Sequence, residues 1–530
     1  MIRICSLLVI SSPFFFFSAT IAAKGQQWTQ PVSAAGHFRI EATSLYHSHS
    51  SRYGQRVENG SIVREIEPLG FDFSSPQIGT NLFPALSTLE DRLSGLTDHK
   101  NYKVKLGSSV VNLTRNEVRI PVSVSLGVKD YITLGIHVPI TRRTTEVSTS
   151  FDGSGANVGI SPAITNMDQV STFLNTLEVA ESELSQLALT LCNNDQHSTQ
   201  CTQANKVLIE GQEFRKNLTT SYMGFGVFPV EGSPTGNDLQ LRLNTLSGAH
   251  SNFGIASYPA NVPLATDPIT SAHFKSLLTD PSYDVAVSPL ESWSSPWEIG
   301  DIELFSNFTL LSSSTEQRNE ETATRNEIHY LVGAGGLIRL GTGHTDLVNN
   351  LIDVGSGDGQ NDFEVRMFAN LFQPDLWSAW TEVSYGLQRP TSVTKRIAQP
   401  FQVFPPMSSI QIVDWTPGAY SQLRLSPSYQ ITDALTFIAD SRYFNKQPDR
   451  YTSLKSDCDP LNCLDAQVLQ DETQQTLFEI GGGFMFNSKS LTTTRPLNIR
   501  FLYRTTVMGS GGMTAKTSSL EFGIQILQAF

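Results

Sequence analysis

Between Val118 and Ile140 apolar side chains recur at alternate positions. Val118, Ile120, Val122, Val124, Leu126 and Val128 form one run, and Ile132, Leu134, Ile136, Val138 and Ile140 form the next. Lys129 and Asp130 separate them and mark a tight turn. Successive side chains of an extended chain point to opposite faces, so both runs are strands with one apolar face and one polar face. The pattern recurs downstream. Phe363, Val365, Met367, Ala369 and Leu371 face Trp377, Ala379, Val383, Tyr385 and Leu387 across a Gln-Pro-Asp turn. Leu423, Leu425 and Tyr429 precede a turn at Thr432-Asp433, with Leu435 and Phe437 after it. Leu497, Ile499, Phe501, Tyr503 and Val507 alternate with Asn498, Arg500 and Arg504, and Leu520, Phe522, Ile524 and Ile526 are in phase with the terminal Phe530.

A soluble sandwich also alternates, because its apolar faces meet a second sheet. Strand number and loop lengths separate the two cases. The pattern predicts strands near 101-112, 117-128, 131-141, 301-313, 326-340, 362-372, 376-388, 418-429, 434-444, 476-488, 496-508 and 517-530, with 36-48 and 220-230 as two more. The expected fold is all-β: a transmembrane antiparallel β-barrel of 12-14 strands with long extracellular loops and a few short helices. Counting back from a last strand that ends in the periplasm, the joins at 129-130, 314-325, 373-375, 431-433 and 489-495 fall on the periplasmic side and are mostly short. Those at 142-300, 341-361, 389-417 and 445-475 fall outside and are long, the asymmetry of outer-membrane barrels.

The N-terminus fits that destination. Arg3 precedes an apolar stretch through Phe14 to Phe17 and the small residues Ala19, Ala22 and Ala23, which reads as a secretory signal over 1-23. The expected organisation continues with an extension over 24-100, either plug or first strand, then first barrel strands over 101-141 and a mainly extracellular insertion over 142-300. The remaining barrel strands occupy 301-530. Within the insertion, 165-191 reads as a helix through Val170, Phe173, Leu174, Leu177, Leu184 and Leu187, and 83-96 as a shorter one. A formal net charge of -13 disfavours nucleic acid as a partner. The expected partners are outer-membrane lipid and lipopolysaccharide, the barrel-insertion machinery and a small-molecule solute.

If the apolar faces meet lipid, the opposite faces line the interior. That places Lys103, Lys105, Glu117, Arg119, His137, Glu303, Arg339, Glu364, Arg366, Glu382, Arg424, Asp440, Arg442, Arg500, Arg504 and Glu521 inward. Such residues can focus ions or orient polar solutes, or simply pair across neighbouring strands. Cys192 with Cys201, and Cys458 with Cys463, form two close pairs suited to disulfides in an oxidising envelope. Asp346, Asp353, Asp358, Asn361 and Asp362 lie in a glycine-rich loop that offers oxygen ligands for calcium, or Asx turns instead. His137, His329 and His344 have no nucleophile elbow or HExxH around them, so the chain reads as a non-enzyme without cofactor.

Three stretches carry a family likeness: Val124-Ser-Leu-Gly-Val-Lys-Asp-Tyr-Ile-Thr-Leu-Gly-Ile-His-Val-Pro-Ile140, Glu298-Ile-Gly-Asp-Ile-Glu-Leu304, and Gly336-Leu-Ile-Arg-Leu-Gly-Thr-Gly343 with Gly357-Asp-Gly-Gln360. They resemble the outer-membrane transporter-like barrels of the meta-pathway of phenol degradation, which are distantly similar to the FadL-type long-chain fatty-acid transporters. The resemblance covers chiefly 101-141 and 298-530 and implies passage of small hydrophobic or aromatic molecules. The expected function is passive, selective diffusion through the barrel. The alternative is a surface structural or interaction protein that uses the barrel as an anchor.

Overall fold

The computed structural model describes residues 31-58, 61-97, 102-224, 226-313, 327-353, 355-399, 402-453, 464-487, 497-512 and 514-529. The signal segment, Phe530 and the Cys458/Cys463 pair lie outside these residues.

Twelve antiparallel strands form the wall: β1 (His37–His49), β2 (Gly107–Lys129), β3 (Ile132–Asp152), β4 (Ile302–Ser312), β5 (His329–Leu340), β6 (Asp362–Gln373), β7 (Trp377–Gln388), β8 (Tyr420–Gln430), β9 (Leu435–Lys446), β10 (Gln475–Asn487), β11 (Leu497–Ser510) and β12 (Ser518–Ala529). Each pairs with its sequence neighbours, and β1 closes on β12 in unbroken register from His37↔Ala529 to Ser48↔Ser518. Closure leaves no open edge of unpaired N–H and C=O groups, which hydrocarbon would not tolerate. No described helix is long and apolar enough to cross a membrane. The chain is therefore an outer-membrane protein that crosses the bilayer with its strands.

The outward faces carry Leu134, Ile136, Phe363, Val365, Val383, Leu423, Leu425, Phe501 and Phe522, all exposed. Tyr131, Tyr330 and Tyr429 stand near the short-turn end, and Tyr385, Tyr443 and Tyr503 lie farther along their strands. Aromatic residues on the outward face are what a lipid-facing band carries near its borders. The even strand number brings the first and last strands to the same end, the end of the tight turns at 130-131, 374-376 and 431-434.

The strand count agrees with the sequence pattern only after two changes. The expected strands 101-112 and 117-128 are one, β2, running 23 residues without a break, and 36-48 supplies β1. The polar stretch Thr114-Arg115-Asn116 resembles a turn in sequence, yet it is where β2 rises past the end of β1, whose last paired residues are His49↔Arg115. The segment 220-230 contributes no wall strand. It holds the end of a helix and the short strand Val227–Pro229, paired with Val158–Ile160.

At the other end the long loops build a cap with its own core. α1 (Leu86–Thr97) buries Leu86, Leu89, Leu93 and Leu96, one face of a helix. α2 (Met167–Asn194) and α3 (Thr199–Tyr222) form a hairpin, followed by α4 (Pro234–Ser251) and α5 (Ser271–Thr279). Side-chain caps set their starts: Asn166, Ser198, Ser233 and Thr270 each accept a backbone N–H in the first turn. Phe83, Leu93, Val170, Leu177, Phe214, Tyr222, Leu243 and Leu277 join Leu113 of β2 and Phe404 of a distant loop in one apolar cluster. The buried Glu181 of α2 takes both oxygens to Arg215 Nε of α3, at 2.9 and 3.0 Å, and Cys192 is bonded to Cys201 where the two helices meet.

A crosslink over so short a loop stabilises by about 2–3 kcal/mol, chiefly by restricting the unfolded hairpin. A Cys192→Ser/Cys201→Ser chain is expected to keep the barrel, with unchanged heat-modifiable migration in gels, while its α2–α3 hairpin is cut faster by limited proteolysis. Equal cutting rates would show that the crosslink does not hold the hairpin.

Candidate functional site: the barrel interior

Inward faces are polar along most of their length. Glu117, Arg119, His137, Glu303, Arg339, Glu364, Arg366, Glu382, Arg424, Asp440, Arg442, Arg500 and Arg504 all lie on them, and none is more than 7% exposed. Lys103 and Lys105 do not join them. Residues 102-106 are not strand, Lys103 sits outside with its ammonium 2.6 Å from Glu90, and Lys105 is exposed.

Two networks organise these charges. Near the cap, register places Glu303, Arg339 and Asp362 opposite one another on β4, β5 and β6. Arg339 donates from Nε and Nη2 to Glu303 at 2.9 and 2.6 Å, and from Nη1 to Asp362 at 2.9 Å. His137 of β3 pairs in register with Glu303, and Gln388 of β7 with Asp362, so one rung crosses five strands. On the other arc Arg424 Nε donates to Asp440 at 2.7 Å, Arg504 reaches both Asp440 and Glu521, Arg500 also bonds Glu521, and Arg442 lies 3.1 Å from Glu479.

Missing side chains make the longer reaches possible. Gly481 of β10 lies in register between Asp440 and Arg504. A Cβ there would sit 2.5 Å from the Tyr503 carbonyl oxygen and 2.6 Å from Arg504 Cγ, so the arginine crosses an intervening strand through the space a side chain would fill. Tyr420 of β8 crosses Gly386 of β7 in the same way, and its hydroxyl donates to Glu364 of β6 at 3.2 Å. Gly335 of β5 makes room between Asn307 and Arg366. Sequence periodicity marks which residues face inward, but a reach over a neighbouring strand depends on register. The signal was present as glycines at inward positions of otherwise regular strands.

The chain before β1 also occupies the interior. Ser33 N–H donates to Thr133 Oγ1 at 2.7 Å, Asn307 Nδ2 donates to the Pro31 carbonyl at 3.0 Å, and Gly36 N–H donates to the Gly127 carbonyl at 2.9 Å. A Cβ on Gly127 would stand 2.0 Å from the Ala34 carbonyl oxygen, so this glycine seats the segment against the wall. Residues 31-36 thus turn back from the start of β1 toward the middle of β4.

The acidic loop spends its carboxylates on the protein. Asp346 pairs with Lys395 at 3.0 Å, Asp353 accepts from Leu347 N–H, Asp358 from Gln360 N–H, and Asn361 from Gly341 N–H, while Asp362 belongs to the Arg339 rung. Among the described residues no group of three or more His, Cys, Asp or Glu is placed to hold a metal ion. Asp301, at the base of this loop, is fully buried and accepts from Gly343 N–H at 2.8 Å.

No family model matches the chain, and no curated protein does. Several solved structures are similar at very low identity. An outer-membrane channel from Pseudomonas putida F1 is 7% identical, with 94% of this chain and 97% of that one covered at a TM-score of 0.39. The toluene transporter TbuX of Ralstonia pickettii is 9% identical over 96% and 94% at 0.26. The translocator domain of the autotransporter NalP from Neisseria meningitidis is 6% identical over 97% and 95% at 0.28. Likenesses this distant leave the barrel to be understood from its own residues.

Two expectations follow. Gly481→Val is expected to displace Arg504 and lower the unfolding midpoint of the barrel, with a cost of about 3 kcal/mol for breaking a buried charge pair; Gly95→Val, on the exposed side of α1 with open space around it, is the control. Burial pushes the Asp301 carboxyl up to about 6, against the lowering effect of the Gly343 N–H. The folded state then keeps a proton that the unfolded chain, near pKa 4, has released. This contribution to stability is fully present below about pH 4 and is lost as pH rises through about 6. Hydrogen exchange at Gly343 should therefore quicken between pH 4 and pH 7 beyond its intrinsic rate, and Asp301→Asn should flatten that excess.

Proposed function

We propose that this barrel is a narrow channel for passive diffusion of small polar molecules across the outer membrane, held shut in the present conformation. The observation that carries this reading is the segment 31-36 inside the barrel. It is a separate length of chain lying against the wall, seated by a few hydrogen bonds to Thr133, Asn307 and Gly127, and it precedes the first strand without forming part of any sheet. Its departure would break none of the wall's own ladder. Twelve strands stand between the eight-stranded barrels that side chains fill and the sixteen-stranded ones that leave an aqueous bore. At that width, charges paired over neighbouring strands and an inserted segment together decide whether a path is open.

The lining argues for polar solutes. A hydrophobic or aromatic molecule, the cargo that the family resemblance implies, would gain nothing from a bore faced by Arg119, Arg339, Arg424, Asp440 and Glu521. Downhill passage needs no energy source. The fourteen sequence-identified residues that face inward, Glu521 among them, act in this reading as the lining that orients a solute by its charge and dipole.

A second reading is favoured by the same burial. An interior whose lining side chains are buried, under a large helical cap, also suits an anchor that presents the cap at the cell surface. Planar-bilayer recordings on the refolded mature chain and on a chain lacking residues 24-36 separate the two. The channel reading expects brief openings in the first and a larger or longer-lived conductance in the second. Electrical silence in both, with folding verified by heat-modifiable migration, would sink the channel and leave the anchor.

A further inference from the structure

The chain carries a formal charge of -13, yet the twelve strands of its barrel bury more cations than carboxylates. Among the described residues, the buried charges on the twelve strands are eleven cations and nine carboxylates. The excess is not evenly spread. On β4 to β7, Glu303, Asp362, Glu364 and Glu382 outnumber Arg339 and Arg366. On β8 to β12 and β1 to β3, nine cations oppose five carboxylates, and Arg143 and Lys446 each find a further one just beyond the strands, in Glu298 and Asp449. An acidic protein has sorted its positive charge inward and onto one arc of the bore.

The geometry of that arc leaves Arg424 with donor capacity to spare. Three arginines, Arg424, Arg500 and Arg504, share two carboxylates, Asp440 and Glu521. Nη1 of Arg424 is buried without a hydrogen-bond partner. Arg119, Arg442 and Arg504, from three different strands, all act electrostatically on His47 of β1. A guanidinium cannot give up its proton at any working pH, so this excess cannot be relieved by titration. In a narrow, low-dielectric bore such a field acts on a passing ion over its whole passage.

We infer that the solutes this channel prefers are small anions, with carboxylates as the fitting chemistry, because a planar carboxylate can take two parallel N–H donors from one guanidinium. The arginine-rich arc of β8 to β12 and β1 to β3 is the track, and the acidic arc of β4 to β7 is the wall that repels. This inference rests on the channel reading and names the charge class that the channel selects.

The test is the reversal potential of the full mature chain in a planar bilayer under a tenfold gradient of potassium acetate. Acetate is expected to be more permeant than potassium. Arg424→Gln removes one of the three arginines and leaves Asp440 paired with Arg504, and it should lower the acetate-to-potassium permeability ratio at least twofold. Glu382→Gln, on the opposite arc and in register with Arg424, should raise it, so the two variants move the ratio in opposite directions and a folding defect in one leaves the other decisive. A conducting channel that prefers potassium, or one whose ratio neither variant moves, overturns the inference and keeps the channel. No conductance from the mature chain or from the chain lacking 24-36 overturns the channel reading and this inference with it.

Discussion

The hydrogen-bond ladder between β1 and β12 is the constraint on which the rest of the molecule depends. Until His37–His49 pairs with Ser518–Ala529, two strands present unsatisfied backbone groups, and hydrocarbon offers them nothing. Closure also divides space. Once the cylinder exists, every alternate residue belongs to an enclosed interior that is neither lipid nor bulk water. A charge there must find its partner among at most a few neighbouring strands. The rungs through Arg339 and through Arg504 are the solutions that this register permits.

Those solutions use long side chains across short distances and glycine across long ones. Arg339 satisfies carboxylates on both adjoining strands because register places them directly opposite. Arg504 has no acid directly opposite on β10 and reaches Asp440 two strands away, over Gly481. Each crossing ties strands that the backbone ladder does not connect, so the interior braces the wall from within. Because Asp440 also binds Arg424 and Arg504 also binds Glu521, removing one partner leaves the other still paired, so the network holds more firmly than any single pair in it.

Much of this was legible from periodicity, and the gaps have physical causes. The strands with strong contrast between faces, such as Phe363 to Leu371 and Leu497 to Val507, can be read directly because lipid demands apolar residues on one side throughout. β1 is harder to read, since its outward face includes Ser44 and Ser48 beside Ile40 and Tyr46. The alternation of Tyr102, Val104 and Leu106 is real but serves the core of the cap, so Lys103 and Lys105 fall on the surface. The helices over 86-97 and 167-194 follow their apolar stripes closely. The pairing of Arg504 with Asp440, and the return of residues 31-36 into the barrel, depend on contacts between parts of the chain that share no local pattern.

The cap is knitted from segments far apart in sequence. Leu69 to Leu113, Val147 to Leu290, Ile352 and Phe404 meet in one apolar cluster on the far side of the bilayer from the start of β1 and the end of β12. The cluster as a whole is complete only once loops from four hairpins have come together. The segments therefore traverse the membrane without their final partners and find them only outside. The cap is thus a latch built from the loops themselves: drawing any one of them back through the barrel would first require undoing the core that all four share.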